Sequence, residues 1–187
     1  MRRLAVFASG NGANFEAIVE GCRCGAIADA EVVLCVCDKP QARVVERAER
    51  CGVRTFVFHP KAYAAKNDFE REIADVMDSL GVDLVCLAGY MRIVGEELLN
   101  RYGGRIINIH PSLLPAFPGA NAIRAAFEYG VKVYGVTIHE VDSSLDGGRI
   151  ISQVAVPYEG GNLEELEEMI HQAEYKLYTE TINKFLA

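Results

Sequence analysis

Leu4-Ala5-Val6-Phe7-Ala8-Ser9-Gly10-Asn11-Gly12-Ala13-Asn14-Phe15 opens the chain with an unbroken apolar run followed by a polar, glycine-bearing stretch. From Phe15 onward the apolar positions change spacing, with Ile18, Val19 and Cys22 falling on one helical stripe. The unit reads as strand, glycine loop, helix. Working outward, the same alternation recurs. Val32 to Val36 is a strand, and Val44, Val45, Ala48 and Cys51 form the stripe of a helix that Gly52 closes. Thr55 to Phe58 is a third strand, Phe69, Ile73, Val76, Met77 and Leu80 line the next helix, and Leu84 to Ala88 is a fourth strand. Continuous apolar strands separated by amphipathic helices require a sheet covered on both faces. The expectation is an α/β fold, doubly wound and mostly parallel.

Beyond residue 89 the rhythm changes. A loop, a short helix over 95 to 102, a strand from Arg105 to His110 and a helix over 120 to 128 precede two further strands, Lys132 to Val141 and Ile150 to Val156. The link between those two, Asp142-Ser143-Ser144-Leu145-Asp146-Gly147-Gly148, is short enough for a hairpin-like pair, which predicts a mixed, antiparallel far end. Asn162 caps a final helix whose stripe is Leu163, Leu166, Ile170, Ala173 and Leu177. The 187 residues are expected to form a single domain over 1–187, with no repeat or linker.

Half of the residues are apolar, a quarter are charged and the formal charge is -7, which describes an ordinary globular chain without a nucleic-acid or anionic-membrane surface. No apolar run approaches a membrane span, and Met1-Arg2-Arg3-Leu4 leads into a strand without a cleavage signal, so the expected location is cytoplasmic. The six cysteines lack zinc spacing and are expected as reduced thiols, with Cys35, Cys37 and Cys86 acting as small hydrophobes.

Polar chemistry concentrates at Ile106-Ile107-Asn108-Ile109-His110-Pro111-Ser112-Leu113-Leu114-Pro115. Strand alternation sends Asn108 and His110 out on one face, and the prolines end the strand behind them. Taken alone, that pair fits either satisfied polar groups at a sheet edge or a reactive amide and imidazole. Ligands of open α/β sheets bind beyond the carboxyl ends of the strands, where Gly10-Asn11-Gly12-Ala13-Asn14 opens a helix and offers unpaired N–H groups to a phosphate. Phe15 stands where a dinucleotide loop has its third glycine, and no Gly-Lys-Ser/Thr follows, so a phosphate monoester is preferred to a dinucleotide. A tight turn without ligand is the alternative. Lys66, at the start of the third helix, is a candidate cation for that phosphate or simply a surface lysine. Glu174, on the polar side of the last helix, is equally open. Asp146 is either a turn-forming Asp-Gly or a carboxylate that two glycines let swing inward. His139 is a second ring or only a strand residue, His59, before Pro60, reads as the cap of a strand, and His171 reads as peripheral.

Together, Ser9-Gly10-Asn11-Gly12-Ala13-Asn14, Leu87-Ala88-Gly89-Tyr90-Met91-Arg92-Ile93, Asn108-Ile109-His110-Pro111-Ser112-Leu113-Leu114-Pro115 and Leu145-Asp146-Gly147-Gly148 resemble the folate-dependent formyltransferase family. Their order and spacing are most similar to the branch of phosphoribosylglycinamide formyltransferases (glycinamide ribonucleotide transformylases). The Asn-x-His-Pro-Ser-Leu-Leu-Pro string is shared with methionyl-tRNA formyltransferase and formyltetrahydrofolate deformylase. The glycine loop and a length that leaves room for neither of their extra domains favour the ribonucleotide branch.

The resemblance implies formyl transfer from 10-formyltetrahydrofolate, as co-substrate and without a metal, to the amine of glycinamide ribonucleotide in de novo purine biosynthesis. It assigns Asn108, His110 and Asp146 to catalysis. Gly12, Ala13, Asn14, Lys66 and Glu174 go to the ribonucleotide. Met91, Arg92, Ile93, Val94 and Val141, with Asn108 and Asp146, go to the folate. Only small-molecule partners are expected, in a monomer or weak homodimer. Ala13 replaces a common serine in the loop, and the Asn121 and Ile123 segment departs from the family pattern. The rival expectations are a 10-formyltetrahydrofolate hydrolase (deformylase) and a phosphate-ligand binding module that retains the fold.

Overall fold

The computed structural model describes residues 1–187. Seven strands form one sheet: β1 (Arg2–Phe7), β2 (Ala30–Cys37), β3 (Thr55–Val57), β4 (Leu84–Leu87), β5 (Ile106–His110), β6 (Val133–Glu140) and β7 (Ile150–Pro157). They lie in the order β3-β2-β1-β4-β5-β6-β7. The first five run parallel, and β6 is antiparallel to both β5 and β7. Six helices accompany them: α1 (Ala13–Arg23), α2 (Arg43–Arg50), α3 (Lys66–Ser79), α4 (Glu96–Tyr102), α5 (Ala122–Tyr129) and α6 (Leu163–Leu186). None is long and apolar enough to cross a membrane.

Strand alternation divides the core into two layers. Leu4, Val6, Cys35, Cys37, Cys86, Ile107, Ile109, Val136 and Ile138 face α1, α2, α5 and α6, while Ala5, Phe7, Leu34, Val36, Val85, Leu87 and Ile106 face α3 and α4. Phe15 and Ile18 of α1 are essentially without exposed surface, and each such burial stabilises the fold by roughly 1.5–3 kcal/mol. The stripes expected from the sequence are the buried and partly buried ones, but Glu174, expected on the polar side of α6, is 5% exposed and faces inward. The helix expected to begin at residue 120 begins at Ala122, because Asn121 takes a left-handed conformation (φ 58°) as its N-cap.

The unequal number of helices on the two faces positions the site. Asn108 and His110 point to the same side as Ile106, the side covered by α3 and α4. That helical cover packs against the β4 region and ends near Ile106. Over β5 and β6 this face is roofed instead by two loops, residues 111–121 and 141–149. The antiparallel register places His139 opposite Asn108 and Thr137 opposite His110, so all four polar side chains lie beneath those loops.

Candidate active site

His110 is 5% exposed, and its Nε2 lies 2.8 Å from the carbonyl oxygen of Phe117 in the first roof loop. A carbonyl only accepts, so Nε2 carries the proton and Nδ1 is left to face the site. Asp146 Oδ2 stands 3.5 Å from that Nδ1 and is held by the Gly119 N–H at 2.8 Å. The other carboxylate oxygen, Oδ1, is 3.7 Å from His139 Nε2. One carboxylate therefore lies between two imidazoles.

His139 is 3% exposed, and its Nδ1 donates to the Glu140 carbonyl at 2.8 Å, which leaves Nε2 as the acceptor in the neutral ring. The Asn108 Nδ2 lies 3.1 Å from that Nε2. One amide hydrogen is fixed there, and the second is free to point into the site. The sequence left His139 open because its partner is brought opposite only by an antiparallel register that no local pattern displays.

The turn carrying Asp146 is built by close backbone approach. Asp146 has φ 51°, and a Cβ on Gly148 would fall 1.7 Å from the Glu140 carbonyl oxygen. The second glycine is required by the path that brings the carboxylate inward. Ser112, Thr137 and Gln153 brace the opposite loop, with Thr137 Oγ1 donating to Ser112 O at 2.7 Å and accepting from Leu114 N at 3.1 Å.

At the end of β1, Gly12 is the N-cap of α1, and the first intrahelical bond runs from Glu16 N to Gly12 O. The N–H groups of Ala13, Asn14 and Phe15 thus open onto the carboxyl edge of the sheet. Gly12 has φ 81°, and a Cβ there would lie 2.6 Å from Val44 of α2, whereas nothing stands within 4 Å of a Cβ at Gly10. Packing explains Gly12, and the open approach is above Gly10.

α6 supplies the side chains that meet this loop. Asn14 Nδ2 donates to Glu174 Oε2 at 3.3 Å, and the same oxygen lies 2.8 Å from His171 Nδ1. That hydrogen bond raises the His171 pKa above its ordinary value, against a smaller opposing effect of burial. Asn14 Oδ1 is buried and has no partner within the chain. His171, read from the sequence as peripheral, is linked through Glu174 to Asn14 of the glycine loop, and Arg47 of α2 meets the loop directly, donating to Asn11 Oδ1 at 2.7 Å. The i, i+3 spacing of His171 from Glu174 was the available signal. Lys66 is placed elsewhere: its ammonium donates to the Ile93 carbonyl and lies 4.0 Å from Glu70 Oε1.

The loop after β4 carries the other expected contacts. Met91 and Ile93 are 66% and 52% exposed, and Val94 is buried. The backbone N–H groups of Arg92, Ile93 and Val94 have no partner within the chain. Arg92 turns its guanidinium to Asp38, Nε to Oδ2 2.9 Å. Val141 packs against the α3 and α4 layer and donates to Ile106 O at 3.0 Å, while Leu145, in the same loop, is 60% exposed. Exposed apolar side chains thus stand on the loops that follow both neighbours of β5.

A doubly wound sheet that gathers an amide, two imidazoles and a carboxylate beside an open helix N-terminus defines an enzyme suited to group transfer with proton movement. The chain belongs to the formyl transferase family, whose model matches residues 2–182. It is 51% identical over 187 residues to the phosphoribosylglycinamide formyltransferase of Bacillus subtilis (strain 168), covering 100% of this chain and 95% of that protein. The crystal structure of glycinamide ribonucleotide transformylase 1 from Geobacillus kaustophilus matches with a TM-score of 0.96 at 50% identity, covering 100% of both chains. The trifunctional purine biosynthetic protein adenosine-3 of Gallus gallus is 40% identical over 177 residues, which is 94% of this chain and 18% of that longer protein.

Proposed function

We propose that this enzyme transfers the formyl group of 10-formyltetrahydrofolate to the amine of glycinamide ribonucleotide, in the cytoplasm, as a step of purine biosynthesis. The observation that carries the reading is the placement of Asp146 between His110 and His139, 3.5 and 3.7 Å away, with each ring's distal nitrogen tied to a backbone carbonyl. Such a site stabilises a developing oxyanion and moves a proton, which is what acyl-level transfer to an amine demands.

The neutral amine attacks the formyl carbon, the carbonyl electrons pass to oxygen, and the attacking nitrogen becomes cationic. The second N–H of Asn108 and the Nδ1–H of protonated His110 donate to the oxyanion. Asp146 offsets the imidazolium charge and, through water, carries a proton from the attacking amine toward the departing N10. The C–N bond to the donor then breaks, leaving formyl on the ribonucleotide. His139 acts on Asn108, holding its amide with nitrogen rather than oxygen toward the reaction.

The ribonucleotide phosphate lies at the N-terminus of α1, on the N–H groups of Ala13 and Asn14 beside Gly12. Glu174 and the unpartnered Asn14 oxygen meet hydroxyl or amide groups, and Arg47, bonded to Asn11, stands with His171 as the basic side chains near the glycine loop. Lys66 contributes indirectly, through Ile93. The pterin sits against Met91, Arg92, Ile93 and Val94, meeting the free N–H groups of the last three, with Val141 and its loop closing over it.

The test measures formyl transfer to glycinamide ribonucleotide from 10-formyltetrahydrofolate, with formate followed in parallel. Formylated ribonucleotide in step with donor consumption is expected. Formate release that does not depend on the ribonucleotide would replace the reading with hydrolysis.

A further inference from the structure

Formyl transfer leaves two buried carboxylates without a task, Glu70 and Asp38, and Asp38 is the one set beside the end of β1. Asp38, directly after β2, is 5% exposed, and neither of its oxygens faces His110 or the glycine loop's open end. Oδ1 accepts from Ser9 Oγ at 2.6 Å, and Oδ2 accepts from Arg92 Nε at 2.9 Å. The Ser9 hydroxyl accepts in turn from Met91 N at 2.9 Å, and Ser9 N donates to Gly89 O at 3.0 Å. In the strand order, β1 stands between β2 and β4. Asp38 therefore reaches over the end of β1 to the loop that follows β4, and Ser9 fills the space between.

Burying a carboxylate is expensive unless it is paired and fully hydrogen-bonded, and Asp38 is both. A charge retained at that cost is better accounted for by the geometry it imposes than by stability, since well-packed apolar replacements of buried ion pairs are often as stable. The geometry is specific. Arg92 is pinned by Asp38 with its guanidinium 5.8 Å from the Phe69 ring centre, and Met91 N is pinned through Ser9. On the other side, Lys66 holds Ile93 O, and Glu70 Oε1 accepts from Gly95 N at 2.7 Å. These anchors hold the loop from both sides and leave the N–H groups of Arg92, Ile93 and Val94 as its unpaired donors.

We infer that Asp38 is a positioning residue for the formyl donor: through Ser9 and Arg92 it fixes the loop 91–94, so that three consecutive N–H groups are presented to the donor's heterocycle. The inference rests on the function proposed above. It also assigns the Arg92 side chain to the loop rather than to the ligand.

The test compares wild type, Asp38→Asn and Arg92→Met. Asp38→Asn keeps the acceptor for Ser9 and removes the charge facing Arg92, and Arg92→Met removes the same bond from its more exposed end. In both variants the KM for the formyl donor is expected to rise about tenfold. The kcat should stay within about threefold and the KM for the ribonucleotide within about twofold, because misplacing a binding loop weakens ground-state and transition-state contacts alike. The double variant should be no worse than the poorer single one. Equilibrium binding of a folate analogue with carbon in place of N10, which binds without reacting, is measured alongside. Donor KM and analogue affinity unchanged in both variants, with only a lowered Tm, would show Asp38 to be a fold anchor and overturn the inference. Wild type that binds the analogue without transferring formyl defeats the proposed reaction, while the analogue's affinity still decides the role of Asp38. Wild type that does neither overturns both.

Discussion

Asp146 has a left-handed backbone (φ 51°) and two imidazole neighbours, so the choice of substitution matters. Asparagine tolerates that conformation better than most non-glycine replacements and keeps the side chain's shape. Asp146→Asn therefore tests the charge alone, whereas alanine adds backbone strain. Turnover is expected to fall on the order of a hundredfold or more in Asp146→Asn and His110→Ala, with ribonucleotide binding retained, measured as kcat and as equilibrium affinity. Near-normal kcat in either variant removes that residue from the mechanism. His171 gives a pH-dependent expectation. Its pKa is raised by the hydrogen bond to Glu174, so the folded state holds the proton more tightly than the unfolded chain. The stability from this pair is complete below the ordinary imidazole value and is lost as pH rises through the raised one. The Tm difference between wild type and His171→Gln is thus expected to be larger near about pH 6 than near about pH 9. An unchanged difference across that range would refute the pairing. At this scale the sequence was legible where neighbours in space are neighbours in chain. Asn108 and His110 share a strand face by alternation, but His139 needs a register to reach them, and Glu174 read as polar because an acidic side chain on a helix gives no sign of an inward partner such as Asn14.

Among the elements, the β6 to β7 connection does most to form the site. Gly148 has no room for a side chain against the Glu140 carbonyl, so Gly148→Ala must move the turn that carries Asp146. The expected outcome is a loss of turnover on the order of a hundredfold with the fold retained, read as kcat beside a far-UV spectrum and Tm, since displacements of about 1 Å carry that penalty. Full activity in Gly148→Ala would mean that the turn relaxes without moving the carboxylate. The hairpin itself was legible from the short polar link. The direction of β6 relative to β5 followed less directly, because α5 intervenes and a crossover of that length serves either orientation. Lys66 shows a comparable limit: its position at the start of α3 was readable, but not that Glu70, one turn on, would bind Gly95 N and draw the lysine toward the neighbouring loop.

For the molecule as a whole, α6 ties its own core layer to the strands beside the site. Tyr178 is 1% exposed, and its hydroxyl donates to Leu87 O at 2.9 Å and lies 3.2 Å from Ile107 O. It stitches the last helix to β4 and β5 one residue before Asn108. Tyr178→Phe leaves those carbonyls without the hydroxyl and is expected to destabilise by about 1–3 kcal/mol, read from the urea midpoint at unchanged m-value. A midpoint equal to wild type would show that the hydroxyl adds nothing. The layered architecture was legible because its periodicities are long and regular. What the sequence could not display is that the helical cover stops at β5, since that depends on where α4 ends in space. This stopping point separates two kinds of inherited change. Substitutions beneath α3 and α4 disturb packing and are selected on stability, whereas changes in loops 111–121 and 141–149 alter what reaches Asn108, His110 and His139 while the layers stay intact. A lineage carrying this scaffold can therefore retune access to those strand residues by remodelling its roof around the turn that holds Asp146, with the strands and their side chains passed on unaltered.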